Sequence, residues 1–179
     1  MKPLRSNVCI YPYDELSIEE DYPSTESFKV VCTEDGRGEG IESLKTYLRG
    51  QQVCRVSGYM LASRRLHTLQ INYNTHLYDP YFTGLLLHSC DPNVFLDMNE
   101  LELWALKTIR PGELLCMDYS STEDILMRQF ACQCGSPNCR RWITGSKELP
   151  NEEGQRFLQQ CCDTAVKCIP NTDLRGDKS

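Results

Sequence analysis

The sequence predicts a mostly β protein with short helices, of the α+β class, from three observations. Short runs rich in β-branched, aromatic and aliphatic residues recur between residues 28 and 119. Turns that contain glycine or proline separate these runs. Helical patterns are confined to residues 121–130 and 151–166. At 179 residues the chain fits one domain with a hydrophobic core of its own.

The N-terminal residues 1–27 are predicted to form a loosely ordered segment, because they are acidic, rich in Pro, Ser and Tyr, and show no hydrophobic period. The first strand is predicted over residues 28–32. It leads into a turn with glycines at alternate positions, Gly36, Gly38 and Gly40, where a ligand can approach the main chain closely. A Gly-x-Gly pattern alone is more often a plain hairpin than a ligand site.

Five further short strands are predicted from residue type and alternation, over residues 53–56, 69–72, 93–98, 101–106 and 113–119. The connection over residues 72–80 is predicted to be irregular. The third and fourth of these strands alternate well enough to form a hairpin around Asn99 and Glu100. A Pro-Gly turn at residues 111–112 precedes the last strand.

Two helices are predicted in the last third of the chain. Residues 121–124, Ser-Thr-Glu-Asp, resemble a capping box, and the apolar residues that follow give a short helix up to residue 130 one apolar face. Asn151 is predicted to cap the second helix, with Glu152 and Glu153 in a first turn where negative charge complements the helix dipole. The apolar stripe of this second helix is interpreted as core packing.

The charge and the hydropathy of the chain exclude some classes of function. The formal net charge of −6 argues against a nucleic-acid-binding surface, which needs clustered Lys and Arg, and is compatible with basic peptide substrates. No apolar run approaches membrane-spanning length, and the first 13 residues lack an apolar signal core. We therefore expect a soluble, intracellular protein of the cytoplasm or nucleus, with no membrane partner and no direct nucleic-acid binding.

The eleven cysteines indicate metal ligation more strongly than a disulfide framework. Disulfide frameworks belong to small secreted domains, and no secretion signal is visible here. Cys132, Cys134 and Cys139 form a Cys-x-Cys-x4-Cys pattern whose Gly-Ser-Pro turn lets the thiols converge. A structural zinc ion needs four soft ligands, so the fourth comes from elsewhere in the chain. On chemical grounds alone, His88 is also able to ligate.

Three segments carry a family resemblance: residues 85–93, which include His88-Ser89-Cys90, residues 112–119 and residues 132–139. They occur in this order in SET-domain protein-lysine methyltransferases that carry a zinc-binding post-SET segment, and the sequence resembles the small stand-alone type. The resemblance implies a β-fold of several small sheets with a knot-like C-terminal loop. It also implies a SET domain over residues 28–122, a post-SET zinc segment over residues 123–147, and a C-terminal helix and tail over residues 148–179.

The resemblance further implies that the chain binds S-adenosylmethionine. Gly38, Glu39 and Gly40 match the turn that contacts the methionine part of this cofactor, and His88 matches a histidine whose backbone lies near its adenine. Leu87 stands where the family carries an asparagine near the amino-acid end of the cofactor. The loss of one charge-assisted hydrogen bond costs about 1.5–3 kcal/mol. Weak cofactor binding, compensation by another polar group and lost methylation all stay open.

The same resemblance assigns the fourth zinc ligand to Cys90, which joins Cys132, Cys134 and Cys139 around one structural ion. Such an ion would pin the segment around residues 130–145 against the loop at residues 88–93. The folding of the segment should then depend on the metal.

The resemblance also assigns the residues of methyl transfer. Tyr119 matches the tyrosine whose hydroxyl lies beside the methyl group and the lysine nitrogen. Met117 stands where the family carries Phe or Tyr, a choice that governs how many methyl groups fit, and methionine is flexible and has no hydroxyl. Trp142 is expected as a lid over the adenine and the lysine channel.

Three functions are compatible with the sequence. The first is a protein-lysine methyltransferase that acts on a protein or peptide substrate. The second is a SET-fold module with weak or no methylation that acts as a binding protein. The third is a SET-fold enzyme that methylates a small-molecule metabolite. Leu87 separates the first from the second, because only the enzyme needs tight cofactor binding.

Overall fold

The computed structural model describes residues 8–16 and 21–167, with side chains up to residue 163. Most of the secondary structure is short strand. The strands are β1 (Phe28–Cys32), β2 (Glu39–Ser43), β3 (Gln52–Arg55), β4 (Tyr59–Leu61), β5 (Thr68–Asn72), β6 (Thr75–Tyr78), β7 (Leu87–His88), β8 (Val94–Asp97), β9 (Glu102–Ala105), β10 (Cys116–Met117), β11 (Phe130–Ala131) and β12 (Trp142–Ile143). Two 3₁₀ turns (Thr83–Leu85 and Tyr119–Ser121) and one helix, α1 (Glu152–Lys167), complete the described elements.

In the described residues the strands form five small sheets. Three of these are pairs, with β1 antiparallel to β2, β7 parallel to β10, and β11 antiparallel to β12. The other two are three-stranded, in the orders β3-β9-β8 and β4-β6-β5. The mostly β architecture with one C-terminal helix confirms the predicted fold class. The predicted SET domain ends at residue 122, shortly after β10. The parallel pairing of β7 with β10 places this end of the domain beside the loop at residues 88–93.

The predicted first strand and the predicted hairpin around Asn99 and Glu100 are both present. β1 pairs with β2 across the glycine-rich turn, in which Gly36 and Gly38 have φ angles of +80° and +97° that side chains rarely adopt. β8 pairs with β9 in the register Val94 to Ala105 and Leu96 to Leu103, and these four side chains are buried. Alternation of apolar and polar residues therefore predicted both the pairing and the buried face of this hairpin.

The described part of the N-terminal segment is packed into the core, in contrast to the loose segment expected for residues 1–27. The Tyr11 ring is 1% exposed and stacks on Tyr13 with centroids 5.4 Å apart. The Tyr11 hydroxyl donates a 2.7 Å hydrogen bond to the buried Asp79 carboxylate. Tyrosine combines a large apolar surface with one polar atom, so a tyrosine-rich segment can enter a core wherever an acceptor is present. Residues 1–7 and 17–20 lie outside the described residues.

The irregular connection expected over residues 72–80 contains a strand, β6. It is the central strand of its sheet, between β4, which was not predicted, and β5. Leu77 on β6 is fully buried. The turn before the strand is closed by a 3.0 Å hydrogen bond from the Asn74 amide to the Asn72 side chain. The Asn-rich turn thus links two strands that are too short to show a clear period.

The helix predicted over residues 121–130 does not form. After the 3₁₀ turn Tyr119–Ser121 the chain is irregular until β11. The Glu123 carboxylate, which a capping box would hold at the helix start, accepts a 2.8 Å hydrogen bond from the Gln70 amide of β5. The Asp124 amide donates to the Gln70 side chain over 2.9 Å. These contacts with a distant strand replace the local capping pattern. The strand predicted over residues 113–119 is likewise shortened to the two residues of β10.

The C-terminal helix is present with its predicted cap. The Asn151 side chain accepts a 2.9 Å hydrogen bond from the Gly154 amide, and Glu152 and Glu153 lie in the first turn. Phe157 packs on Trp142 of β12, with ring centroids 5.6 Å apart. The tail after residue 167 lies outside the described residues. Within the part of the chain that the structure describes, no helix is both long and apolar enough to cross a bilayer.

Candidate active site

The loop after β7 is held in place by the asparagine that ends it. The Asn93 side chain accepts a 2.8 Å hydrogen bond from the Cys116 amide and donates one of 2.8 Å to the Leu114 carbonyl. The Ser89 amide also donates to the Met117 carbonyl over 3.0 Å. Loop and β10 thus form one unit, which fixes the positions of His88 and Cys90 relative to the residues after β10.

Four thiols converge beside this loop. The sulfur atoms of Cys90, Cys132, Cys134 and Cys139 all lie within 4.8 Å of one another, and Cys90 Sγ is 3.8 Å from Cys132 Sγ. The cluster therefore joins the three cysteines predicted by spacing to the one assigned by resemblance. A set of four soft sulfur donors at these separations can hold a metal ion.

Backbone amides point at the sulfur atoms of the cluster. The Arg140 amide donates to Cys90 Sγ over 3.3 Å, the Cys134 amide to Cys132 Sγ over 3.4 Å, and the Arg141 amide to Cys139 Sγ over 3.4 Å. Such bonds stabilise a thiolate, which is the form of cysteine that ligates metal. The surroundings of the cluster therefore fit a metal bound by four thiolates.

His88 lies against the cysteine cluster as a neutral side chain. Burial lowers the pKa of His88 to about 4. Its Nδ1 accepts a 3.3 Å hydrogen bond from the Tyr119 amide, so the proton of the neutral ring lies on Nε2, which is 3.4 Å from Cys90 Sγ. His88 thus donates toward a thiol of the cluster and links the cluster to Tyr119. Among the described residues, the group that could hold a metal ion consists of the four cysteines.

Tyr119 is partly buried and neutral. Its hydroxyl donates a 2.7 Å hydrogen bond to the Leu86 carbonyl, and its ring packs edge-on against His88 and Phe130. Burial, with a smaller effect from the Cys116 thiol, raises the pKa of Tyr119 to about 12. Because its proton is directed at Leu86, the lone pairs of the hydroxyl oxygen are left to accept a hydrogen bond from another group.

Two cavities meet at Tyr119. The first, which we name the apolar cavity, has a volume of about 210 Å³, and Leu69, Met117, Leu126 and Phe130 form part of its wall. The second, which we name the cysteine-side cavity, has a volume of about 450 Å³. Its lining comes from the glycine-rich turn, from His88 and from the chain leading into the cysteine cluster: Gly36, Arg37, His88, Tyr119, Arg128, Phe130, Ala131, Cys132 and Gln133. Tyr119, Arg128 and Phe130 border both cavities.

The predicted site residues that line these cavities are Met117, Tyr119, His88 and the metal-ligand candidate Cys132. Gly38, Glu39 and Gly40 line neither, although Gly36 and Arg37 of the same turn line the cysteine-side cavity. Only the first half of the predicted turn therefore lines the site. The roles expected for these residues stay predictions.

Leu87 and Trp142 lie away from the walls of both cavities. The Leu87 side chain is buried against the glycine-rich turn, where a methyl group added at Gly40 would lie 2.9 Å from Leu87 Cδ1. Trp142 is buried beneath α1, and its indole nitrogen donates to the Gln129 side chain over 2.9 Å. A methyl group at Gly154 would meet the Trp142 ring at 2.2 Å. Trp142 therefore joins β12 to α1, and a lid role for it stays a prediction.

Among the lining residues missed from the sequence are four that lie close to Tyr119 or the glycine-rich turn: Arg37, Glu123, Arg128 and Phe130. Burial raises the pKa of the Glu123 carboxyl, which is only 8% exposed. Three of the four belong to the segment between Tyr119 and the cysteine cluster. These residues could have been identified from their position in the sequence. A segment that connects Tyr119 to the cysteine cluster has to pass the site.

A family model described as SET domain matches residues 2–120 of the chain. The chain belongs to the SET-domain family. The match begins upstream of residue 28, where the resemblance placed the start of the SET domain, and it includes Tyr11 and Tyr13 of the packed N-terminal segment. Together with the small sheets and the cysteine cluster, it confirms the family and the fold expected from the three sequence segments.

Among the relatives of this SET domain, methyltransferase flvH of Aspergillus flavus is 38% identical over 65 residues, which are 35% of this chain and 36% of that protein. Histone-lysine N-methyltransferase SETMAR of Mus musculus is 27% identical over 163 residues, 66% of this chain and 52% of that protein. A crystal structure of KRYPTONITE in complex with mCHG DNA and SAH matches with a TM-score of 0.54 and 25% identity, over 64% of this chain and 28% of that one. The chain spans about half or less of each of these proteins.

Proposed function

We propose that this SET domain is an S-adenosylmethionine-dependent methyltransferase that modifies the side-chain amine of a lysine in a protein or peptide. The observation that carries the proposal is that the Tyr119 side chain borders both the apolar cavity and the cysteine-side cavity. A group that borders two cavities can align a donor held in one with an acceptor held in the other. Relatives named as histone-lysine methyltransferases support the same reaction.

The cysteine-side cavity is the proposed site of S-adenosylmethionine. KRYPTONITE, with its 25% identity, is described in complex with SAH, the molecule that S-adenosylmethionine leaves after methyl transfer. In this chain the first half of the glycine-rich turn, His88 and Phe130 would surround the ligand. When bound, S-adenosylmethionine supplies an electrophilic methyl group, and transfer forms a nitrogen–carbon bond as the carbon–sulfur bond breaks.

The apolar cavity is the proposed channel for the lysine side chain. Methyl transfer needs a neutral amine, and apolar walls such as Met117 and Leu126 favour the loss of the ammonium proton by desolvation. Tyr119 stays protonated at neutral pH, since its pKa is about 12, and its oxygen can accept a hydrogen bond from the amine and orient it. The proton released from the ammonium passes to water.

The metal proposed for the four thiols is one structural zinc ion, held by Cys90, Cys132, Cys134 and Cys139. Zinc accepts four thiolates in a closed tetrahedral site and needs no open position when its role is structural. Its binding would tie the hairpin of β11 and β12 to the loop after β7, and would thus support Phe130 and His88 on the wall of the cysteine-side cavity.

A transfer assay with the Tyr119→Phe variant tests the proposed reaction. The full chain is incubated with radiolabelled S-adenosylmethionine and a library of lysine peptides, and transfer is measured in single turnovers. We expect wild type to label lysine and Tyr119→Phe to lose most of the rate, because the hydroxyl acts at the reacting centre, while the affinity for S-adenosylmethionine changes little. Equal rates for both proteins would contradict the role of Tyr119. No transfer to any peptide would contradict the protein-lysine activity.

A second candidate function is methylation of a small molecule. The observation in its favour is the name of the Aspergillus flavus relative, which specifies a methyltransferase and no protein substrate. The apolar cavity, at about 210 Å³, accepts a small amine as well as a lysine side chain. Transfer to free amines in the same assay, together with no transfer to peptides, would favour this second function.

A further inference from the structure

Three arginines surround the opening of the apolar cavity. Arg65 and Arg128 are exposed and Arg64 is half-buried, whereas Met117 and Leu126, which line the same cavity, are buried. The buried residues therefore form the floor, and the exposed ones, which also include Leu66 and Met127, form the rim. We name Arg64, Arg65 and Arg128 the rim arginines. A peptide that inserts a side chain into the cavity has to place its neighbouring residues beside them.

This chain compensates only part of the positive charge of the rim. Arginines elsewhere are paired, as Arg37 is with Asp35 at 2.7 Å and Arg140 is with Asp118 at 2.5 Å. Within residues 8–16 and 21–167, none of the rim arginines forms an ion pair. Glu123 is the one acidic residue that lines the cavity. Arg64 lies close enough to Glu123 and to Glu148 for its charge to act on both carboxyls, so the charge of Arg64 is partly offset. Arg65 and Arg128 form no ion pair within the described residues.

Two of the rim arginines are held in position by contacts that leave their charge available. Arg64 donates a hydrogen bond to the Ile125 carbonyl. The Arg65 guanidinium carbon lies 4.0 Å from the centre of the Tyr78 ring, a cation–π contact. A carbonyl and an aromatic face do not neutralise a guanidinium. Groups that are ordered before binding lose less conformational entropy when a ligand binds.

We propose that the substrate lysine of this chain is flanked by aspartate or glutamate residues, whose carboxylates pair with the rim arginines. The inference rests on the proposed function, because it concerns the residues beside the lysine that this reaction would modify. Guanidinium groups match carboxylates in a bidentate geometry and repel the arginines and lysines of a basic peptide. The overall charge of −6 acts at longer range and is screened beyond about 10 Å at 0.1 M salt, so the rim decides between flanking residues.

Peptide binding to the full chain tests this proposal. Three fluorescent peptides share one central lysine, which is flanked on both sides by glutamates, by alanines or by arginines. Anisotropy titrations measure the affinity of each, and methyl transfer is measured on the same peptides. We expect the glutamate peptide to bind about three- to thirtyfold more tightly than the alanine peptide, as several exposed ion pairs would give, and the arginine peptide to bind least. High salt should reduce the difference.

Charge reversal at the rim supplies the second measurement. Arg65→Glu should remove the preference for the glutamate peptide or turn it toward the arginine peptide. Arg65 does not line the cysteine-side cavity, so its replacement leaves that cavity intact. The matched control is Arg49→Glu, which makes the same change of charge at an exposed arginine that lines neither cavity, and it should keep the wild-type preference.

The outcomes separate this inference from the proposed function. Equal binding of the three peptides, tighter binding of the arginine peptide, or the same effect of Arg49→Glu and Arg65→Glu would overturn the acidic preference. Methyl transfer without a preference for acidic peptides would support the lysine methyltransferase activity and contradict the proposed role of the rim arginines. A preference for binding acidic peptides without any methyl transfer would support the proposed role of the rim arginines and contradict the proposed methyltransferase activity.

Discussion

Leu87 occupies a position where the family resemblance leads one to expect a polar residue, and its surroundings explain the apolar side chain. It is buried between the glycine-rich turn and β10, with its backbone paired to Cys116. The close approach of Cδ1 to Gly40 shows that the side chain fills the space behind the turn. Leu87 thus supports the turn by packing and adds no hydrogen-bonding group to the cysteine-side cavity.

We expect Leu87→Asn to destabilise the fold by about 2–4 kcal/mol, because it removes buried methyl groups and buries an amide. The affinity for S-adenosylmethionine should change little, because the Leu87 side chain lies away from both cavities. If residue 87 instead took a direct part in cofactor binding, asparagine would increase this affinity. Urea unfolding and calorimetric titration measure the two quantities. Leu87→Met, which keeps the volume, is the control. Cofactor binding that tightens tenfold in Leu87→Asn would show that residue 87 reaches the ligand.

Met117 leaves the floor of the apolar cavity without a hydroxyl. It is 1% exposed and its backbone pairs with His88. Because residue 117 offers no hydroxyl to hold a partly methylated amine, we expect wild type to transfer more than one methyl group. Met117→Tyr, which adds bulk and a hydroxyl, should restrict the product to fewer. Mass spectrometry of the product is the test, with Met117→Leu as an apolar control. A wild-type product that stops at one methyl group would exclude this role.

At the scale of elements, the parts predicted well are those whose partners are close in sequence. The β8–β9 hairpin follows from alternation around Asn99 and Glu100, and the cap of α1 follows from Asn151. The segment over residues 121–130 was predicted wrongly because its polar side chains bind Gln70, which is more than fifty residues away. No local pattern contains that contact, and tertiary hydrogen bonds outweigh a capping preference of about 1 kcal/mol.

Local structure alone does not explain the stability of the segment that carries the cysteine cluster. β11 and β12 have two residues each, and the Cys132 amide donates to the Arg141 carbonyl over 2.7 Å at the base of the cysteine loop. Such a short hairpin is at best marginally stable by itself. A bound metal would supply the missing stabilisation, which is consistent with amides that already point at the sulfur atoms.

We expect Cys139→Ser to abolish the binding of one zinc ion per chain and to cost more than about 2 kcal/mol of stability, as loss of a structural metal does. Elemental analysis measures the zinc. Hydrogen exchange should show lost protection in β11 and β12 and retained protection in β8 and β9. Cys32→Ser, at an exposed thiol outside the cluster, should keep the bound zinc and the protection of β11 and β12. A wild-type protein with less than half an equivalent of zinc and with folding insensitive to chelators would rule the site out.

At the scale of the whole molecule, the site depends on segments that lie far apart in sequence. Its cavities draw on the glycine-rich turn, β5, the end of β7 and the chain after β10. Three thiols and Tyr119 could be singled out because motifs surround them. Arg37, Arg128 and Phe130 could not, since each becomes a site residue only when the turn and the segment after Tyr119 pack together.

The N-terminal segment is joined to this assembly through Asp79. Its carboxylate is fully buried and accepts hydrogen bonds from the Tyr11 hydroxyl at 2.7 Å, the Thr83 amide at 2.7 Å and the Phe82 amide at 3.0 Å. The 3₁₀ turn that follows leads directly into β7. The Tyr11–Asp79 bond thus connects the start of the domain to the chain that enters the site, and a buried carboxylate needs each of its donors.

We therefore expect Tyr11→Ala to lower the free energy of unfolding by about 3–5 kcal/mol, because a buried aromatic ring is lost, and Tyr11→Phe to lower it by about 1–3 kcal/mol, because only the hydrogen bond is lost. Urea unfolding with an unchanged m-value measures both. Tyr73→Phe, at a ring that is 87% exposed, is the control and should be neutral. If Tyr11→Ala unfolds at the wild-type midpoint, the N-terminal segment lies outside the cooperative unit, and the domain begins near β1.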